Sequence, residues 1–324
     1  MRAVFLDFGT VSHDDLDTAQ LERVLPGITL HATSTDAEVD ERIAGVEFIL
    51  TNKLNISRAR MRAVPGLRLI GLTATGTNNV DLEAARELGI AVCNIREYCT
   101  VSVVQHVLGS ILSLTHRLRE YGQAAIDGTW SRSEQFTVPG APIRELAGKV
   151  LGIVGFGTLG QAVAKAARDA LGMRVLVARR QGAAAEPIAS HSPVRVTLDE
   201  LLRTADVLSL HCPLTAATTG MIGTRELALM KPDALLINTA RGALIDLDAL
   251  VAALKGGDLG GAAIDVLPKE PPTEGSVLFD PGIPNLLVTP HIAWAAFEAR
   301  QRAVDELALN VEDFLRGGRR GRVV

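Results

Sequence analysis

Six residues near the middle of the chain constrain its fold more than any others: Gly155-Phe156-Gly157-Thr158-Leu159-Gly160. The apolar run Val150-Leu151-Gly152-Ile153-Val154 precedes them, and the helix-forming run Gln161-Ala162-Val163-Ala164-Lys165-Ala166-Ala167 follows. Strand, G-x-G-x-x-G and helix in that order make a dinucleotide-binding turn. The first glycine allows the tight turn, the second lets backbone approach a pyrophosphate, and the third lets the helix pack close to its strand. The helix N-terminus turns N–H groups and a positive dipole end toward the phosphates. The acid that would hold an adenosine ribose about 20 residues later is missing: the next strand, Met173-Arg174-Val175-Leu176-Val177, runs into Ala178-Arg179-Arg180.

At 324 residues the chain has room for two domains. Short apolar runs alternate with helical patterns, which predicts parallel strands with helices on both faces. Strands are expected at Ala3–Leu6, Phe48–Thr51, Leu67–Leu72 and Ile90–Cys93, with a helix at Asp81–Leu88 ended by Gly89. One long helix is expected from Val101 to Leu118, then an irregular arm over Gly122–Glu145 that holds Gly128, Pro139, Gly140 and Pro142. A second series of strands follows at Val150–Val154, Arg174–Val177, Val207–Leu210, Ala234–Asn238, Ala262–Val266 and Leu286–Thr289. Helices are expected at Leu198–Thr204 and Leu247–Lys255 between them. A last helix, Ala293–Leu315, is expected to return to the first domain, because the dinucleotide sheet is already complete without it.

Net charge is −4, which leaves no basic surplus for a nucleic-acid partner. No stretch approaches the length of a membrane span, and the N-terminus reaches Asp7 before any signal-peptide core could form. Cys93, Cys99 and Cys212 form no C-x-x-C pair and suggest no disulfide framework, so the cytoplasm is the expected compartment. His211 and Cys212 lack a third ligand at suitable spacing, so no metal site is expected.

Three polar residues follow consecutive late strands: Arg241, Glu270 and His291. Ligands of open parallel sheets bind outside the carboxyl ends of the strands, which brings the three toward one crevice. A guanidinium can grip a 2-oxo-acid carboxylate bidentately and polarise the ketone. A histidine can deliver a proton to the developing alkoxide, and a carboxylate beside it fixes the ring's orientation. Taken singly, each residue also reads as an ordinary exposed side chain; their order behind a dinucleotide turn is what singles them out.

The glycine turn, together with His211-Cys212-Pro213-Leu214, Asn238-Thr239-Ala240-Arg241-Gly242, Asp265-Val266 through Glu270-Pro271, and Pro290-His291, resembles the D-isomer-specific 2-hydroxyacid dehydrogenases over essentially the whole chain. The resemblance implies an α/β fold of two Rossmann-like domains, the dinucleotide-binding domain being inserted into a flavodoxin-like substrate domain. The boundaries expected are 1–98 and 291–324 for the substrate domain and 99–290 for the NAD(P)-binding domain. It implies catalytic roles for Arg241, Glu270 and His291. It places the cofactor on the turn from Gly155 to Gly160 and on Arg179, Arg180, His211, Cys212, Pro213, Thr218, Thr239, Ala240 and Asp265. It also implies a homodimer joined through the Val101–Leu118 helix and the arm after it. Leu72-Thr73-Ala74-Thr75-Gly76-Thr77-Asn78-Asn79-Val80-Asp81 matches the family's substrate loop, in which exposed N–H groups could hold a carboxylate.

Thr75, Gly76 and Thr77 of that loop, with Asn52, Lys53, Arg241, His291 and Trp294, are the substrate residues expected. Trp294 could equally be a core or interface residue, and His106 and His116 are read as packing or interface residues of the long helix. Within the family the chain looks closest to glyoxylate/hydroxypyruvate reductases (glycerate dehydrogenases). The expected partner is a small 2-oxo or 2-hydroxy acid, with hydroxypyruvate or glyoxylate reduced to D-glycerate or glycolate. A D-lactate-type dehydrogenase and a corepressor-like dinucleotide sensor are the alternatives. Arg179 and Arg180 in place of the ribose-binding acid predict NADP(H) over NAD(H), since arginine pairs well with phosphate.

Overall fold

The computed structural model describes residues 1–138, 140–180 and 193–324. Pro139 of the expected arm therefore lies outside the described residues. The chain forms two compact units, one of Met1–Cys99 with Trp294–Val324 and one of Thr100–Ala293.

In the first unit β1 (Ala3–Phe5), β2 (Thr29–Leu30), β3 (Phe48–Thr51), β4 (Leu69–Leu72) and β5 (Ala91–Cys93) form a parallel sheet in the order β2-β1-β3-β4-β5. This is the flavodoxin-like order, with its topological switch between β1 and β3. Every residue of β1, β3, β4 and β5 is buried, as a parallel sheet covered on both faces requires. The helix expected beside β5 runs from Leu82 to Leu88. Asp81 caps it by accepting from the Ala84 amide at 2.8 Å, and Gly89 ends it at φ 69°. The strand Thr29–Leu30 has only two residues and carried no readable pattern.

The last helix, Phe297–Leu315, belongs to this first unit. It starts four residues later than the sequence suggests. It packs on β4 so closely that a Cβ on Gly71 would stand 2.7 Å from Leu307 Cδ1. Near its start the buried Arg300 grips both oxygens of Asp15, at 2.8 and 2.6 Å, and donates to the Val11 carbonyl at 3.0 Å.

In the second unit seven parallel strands stand in the order β12-β11-β10-β9-β6-β7-β8. They are β6 (Val150–Val154), β7 (Arg174–Ala178), β8 (Val194–Val196), β9 (Val207–Leu210), β10 (Leu235–Asn238), β11 (Gly261–Ile264) and β12 (Leu286–Val288). Counted from β6, the order is that of a doubly wound dinucleotide-binding sheet, with its switch point between β6 and β9. Two readings need correction. The helix expected over Val101–Leu118 spans Thr100–Thr115, and a second helix, Leu118–Ile126, occupies the start of what read as an irregular arm. The Thr115 hydroxyl bonds back to the Ile111 carbonyl at 2.7 Å, a local competitor with helix geometry. Arg117 then takes a left-handed φ of 53° and breaks the rod. Strand β11 ends at Ile264 rather than Val266: the Asp265 amide still donates to the Asn238 carbonyl at 2.9 Å, while its carbonyl and carboxylate turn to partners described below.

The Arg300 pairing yields a pH prediction for the first unit. Hydrogen bonding to the Arg300 guanidinium holds the Asp15 carboxyl well below the usual carboxylate range. A depressed folded-state value contributes stability above the unfolded value, about 3.9, and loses it as pH falls through the folded one. Asp15→Asn should therefore be less stable than the unsubstituted chain at neutral pH. In urea melts recorded as a function of pH, the gap should close as the solution is acidified. A gap independent of pH would show that the pairing does not act through charge.

Candidate active site

The glycine turn of the second unit is built by exclusion of side chains. Gly155 sits at φ 93°, and a Cβ there would stand 2.5 Å from the Cys212 amide nitrogen and from the His211 carbonyl carbon. A Cβ on Gly160 would lie 2.1 Å from the Gly155 carbonyl oxygen. Gly157 differs: it caps the helix Thr158–Leu171, and among the described residues no atom beyond its two chain neighbours lies within 4 Å of the place its Cβ would take. The helix start is thus open on the side where an anion would approach its first-turn amides.

The residues around this turn occupy strand ends of the same sheet. The β9 end carries His211, whose Nε2 meets Ser209 Oγ at 2.9 Å; burial pushes its imidazole down to about 4, which keeps it neutral near pH 7. Burial pushes the Cys212 thiol up. Thr218 Oγ1 donates to the Pro213 carbonyl at 2.8 Å and accepts from the Thr215 amide at 2.8 Å, which fixes the loop after β9. Beyond β10, the buried hydroxyl of Thr239 has no hydrogen-bond partner among the described residues. An unsatisfied buried hydroxyl is costly in isolation, and an incoming polar group would satisfy it. The open cradle at Gly157 and the orphaned Thr239 hydroxyl both fit a bound dinucleotide. Among the described residues no cluster of three or more His, Cys, Asp or Glu could hold a metal.

At the end of β7, Ala178 is followed by Arg179 and Arg180, and the Arg179 amide donates to the Val196 carbonyl of β8 at 2.7 Å. The V-R-V strand β8 went unread in the sequence, because a charged residue interrupts the apolar run that marks the other three-residue strands. Its Arg195 guanidinium lies over the Phe156 ring, 5.7 Å from the centroid.

Arg241, Ala240 and Gly242 follow β10. The Asn238 side chain organises them, donating to the Arg241 carbonyl at 3.0 Å and accepting from the Ala240 amide at 3.0 Å. A Cβ on Gly242 would stand 2.1 Å from the Leu267 carbonyl carbon, so the Arg241 segment lies directly on the segment that leads to Glu270. Glu270 accepts from the Leu267 amide through one oxygen and meets His291 Nδ1 at 2.6 Å through the other. A carboxylate only accepts, so Nδ1 carries the proton of this bond. Nε2, on the far side of the ring, is the nitrogen left for a reacting atom. Both side chains are about one-third accessible, 29% for His291 and 33% for Glu270.

His291 adopts φ 55°, an uncommon conformation for a side-chain-bearing residue. Asp265 maintains it. The buried carboxylate accepts from Thr289 Oγ1 at 2.5 Å, from the Ile292 amide at 2.9 Å and from the Ala293 amide at 2.9 Å. The Asp265 carbonyl accepts from the His291 amide at 2.8 Å. The family resemblance counts Asp265 among the cofactor residues, and its carboxylate builds the turn that carries His291.

In the first unit, the turn after β3 is held by a residue that sequence reasoning missed. Buried Asp7 accepts from Thr51 Oγ1 at 2.9 Å and from the amides of Asn52 and Lys53 at 2.9 and 2.7 Å. Asn52 Nδ2 donates to Thr10 Oγ1 at 3.0 Å. An acid at the end of a first strand was the available signal. In the loop after β4, Thr75 Oγ1 donates to the Ile95 carbonyl at 3.0 Å, while Asn94 donates to the Thr75 carbonyl at 2.7 Å. The Thr77 carbonyl accepts from the Val80 amide at 3.0 Å, so Gly76 lies between two pinned residues. The Trp294 ring packs edge-on against Tyr98, with centroids 6.2 Å apart, beside the core of this unit.

The chain is similar to known proteins. Residues 108–293 match the family model for the D-isomer specific 2-hydroxyacid dehydrogenase NAD binding domain. The glycerate dehydrogenase of Methylorubrum extorquens is 43% identical over 289 residues, covering 88% of each chain. The hydroxypyruvate reductase of Blautia hydrogenotrophica is 38% identical over 98% of each chain. The crystal structure of the TT0316 protein from Thermus thermophilus superposes with a TM-score of 0.86 at 34% identity, covering all of both chains. The match spans more than half of the chain and includes the glycine turn and the Arg241, Glu270 and His291 strand ends: this chain belongs to the D-isomer-specific 2-hydroxyacid dehydrogenase family.

Proposed function

We propose that the protein reduces a small 2-oxo acid to its D-2-hydroxy acid, the second unit binding the dinucleotide and the first serving the substrate. The observation that carries this reading is the 2.6 Å bond between Glu270 and His291 Nδ1, which leaves Nε2 to act. A bound nicotinamide cofactor supplies the hydride. Arg241 grips the substrate carboxylate and polarises the ketone. His291 Nε2 gives the proton that the reduced oxygen takes up. Glu270 orients the ring and compensates the charge that the ring carries.

The amides near Gly76, with Asn52 and Lys53, would bind the carboxylate end of the substrate. The two curated relatives, named for glycerate and hydroxypyruvate, support hydroxypyruvate as the first substrate to test, with glyoxylate as its smaller analogue. Ala178 in place of an acid, followed by Arg179 and Arg180, supports NADPH over NADH. The side chains of Ile126 and Phe136, 82% and 90% exposed, support a homodimer in which a second copy covers the arm after the long helix. Sedimentation as a monomer at micromolar concentration would exclude that pairing.

Steady-state assays with hydroxypyruvate, glyoxylate and pyruvate should show consumption of NADPH. A protein that binds the dinucleotide but turns over no 2-oxo acid would instead be a sensor. His291→Ala should lower kcat by at least about 10²-fold, the low end of general acid catalysis, with dinucleotide binding retained. A near-normal rate would remove His291 from the proton-donor role. Glu270→Gln should cost about tenfold or more in kcat, since the amide accepts a hydrogen bond without compensating charge.

The cofactor assignment has its own test. kcat/KM should be higher with NADPH than with NADH. Neutral replacement of Arg179 and Arg180 should raise the KM for NADPH by about 10–100-fold, the value of one charge-assisted bond. A native preference for NADH would overturn the assignment.

A further inference from the structure

The long helix Thr100–Thr115 touches both ends of the segment that carries His291, through side chains that the proposed reaction does not use. Ser102 Oγ donates to the Ala293 carbonyl at 2.7 Å. His106 Nε2 lies 3.3 Å from Thr289 Oγ1 and 3.8 Å from Asp265 Oδ1. Hydrogen counting fixes the direction of the second contact. The Thr289 hydroxyl has one proton, and it gives that proton to the Asp265 carboxylate at 2.5 Å. Toward His106 the hydroxyl can only accept, so His106 must donate from Nε2–H.

The resulting chain runs one way: His106 Nε2–H to Thr289 Oγ1–H to Asp265 Oδ1. Asp265 in turn receives the amides of Ile292 and Ala293 and, through its carbonyl, that of His291. Asp265 and Ser102 are buried, and the His106 side chain is only 18% accessible. In such surroundings hydrogen-bonded groups polarise one another, and losing one member leaves the next unsatisfied.

We propose that His106 is a positioning residue for His291, acting through Thr289 and Asp265 to hold the left-handed turn that aims the ring. The inference rests on the reading of His291 as the proton donor. What it requires of residue 106 is an N–H donor at the Nε2 position. A neutral imidazole protonated at Nε2 supplies that donor, as does the imidazolium. A glutamine side-chain amide supplies one too, whereas leucine supplies none.

His106→Leu and His106→Gln are the informative pair. In His106→Leu kcat should fall by about tenfold or more, since displacing a reacting group by about 1 Å can cost on the order of 100-fold. The Kd for NADPH, read by fluorescence titration, should change far less than kcat. The solvent deuterium isotope effect on kcat should rise, because a misaimed donor makes proton transfer slower relative to the other steps. His106→Gln should restore both quantities toward their original values.

A readout without turnover comes from histidine-selective 15N labelling. The ring signals of His291 should move in His106→Leu and return in His106→Gln. Thr289→Val, which breaks the same chain from its other side, should move them as well and serves if His106→Leu does not fold. His291 signals unmoved in the leucine and valine variants, or a glutamine variant as damaged as the leucine one, would overturn the proposal. If the signals respond as expected while the unsubstituted protein reduces no 2-oxo acid, the positioning chain stands and the reductase reading falls.

Discussion

The Asp265 carboxylate is the interaction on which the candidate site depends. Asp265 stands one residue beyond the end of β11 and gathers donors from four residues later in the chain, Thr289, His291, Ile292 and Ala293, counting its carbonyl. Without it, His291 would have little reason to remain at φ 55°, and its ring would not meet Glu270. Backbone in a sparsely populated conformation persists where the surroundings over-determine it. Four hydrogen bonds to one buried residue, with the helix Thr100–Thr115 behind them, supply that over-determination.

The first unit repeats the device. Asp7 stands just beyond β1 and collects the Thr51 hydroxyl and the amides of Asn52 and Lys53 at the neighbouring strand end. In each sheet a carboxylate at one strand end fixes the loop of an adjacent strand. Parallel sheets put such loops side by side at their carboxyl edges, where ligands bind. A buried acceptor there makes the loop rigid before any ligand arrives, which lowers the ordering cost of binding.

Much of this was legible in the chain itself. The glycine turn and the strand ends at Arg241, Glu270 and His291 rest on patterns that local sequence records, apolar runs and glycine spacing, and the return of the last helix to the first unit follows from a dinucleotide sheet already complete without it. What could not be read lies in partners distant in sequence. Nothing near Asp265 announces Thr289, and nothing near His106 does either. The break at Arg117 depends on one backbone angle, and Thr29–Leu30 and Val194–Val196 lack the continuous apolar run that marked strands as short as Ala3–Phe5 and Ala91–Cys93. Asp265 shows the limit most clearly: the sequence marked the residue as important and left its hydrogen-bond partners unstated.

The three glycines of the turn answer to different masters. At Gly155 and Gly160 a side chain would collide with backbone of the turn itself or of the strand end beside it, so folding alone forbids replacement. At Gly157 the space is open, and only what approaches the turn from outside restricts the residue there. The motif therefore keeps two separate records. A descendant that gave up its dinucleotide while keeping its fold could accept alanine at Gly157, yet would still carry the outer pair. Loss of the middle glycine alone, in a chain of this architecture, would be the mark of a domain that has outlived its cofactor.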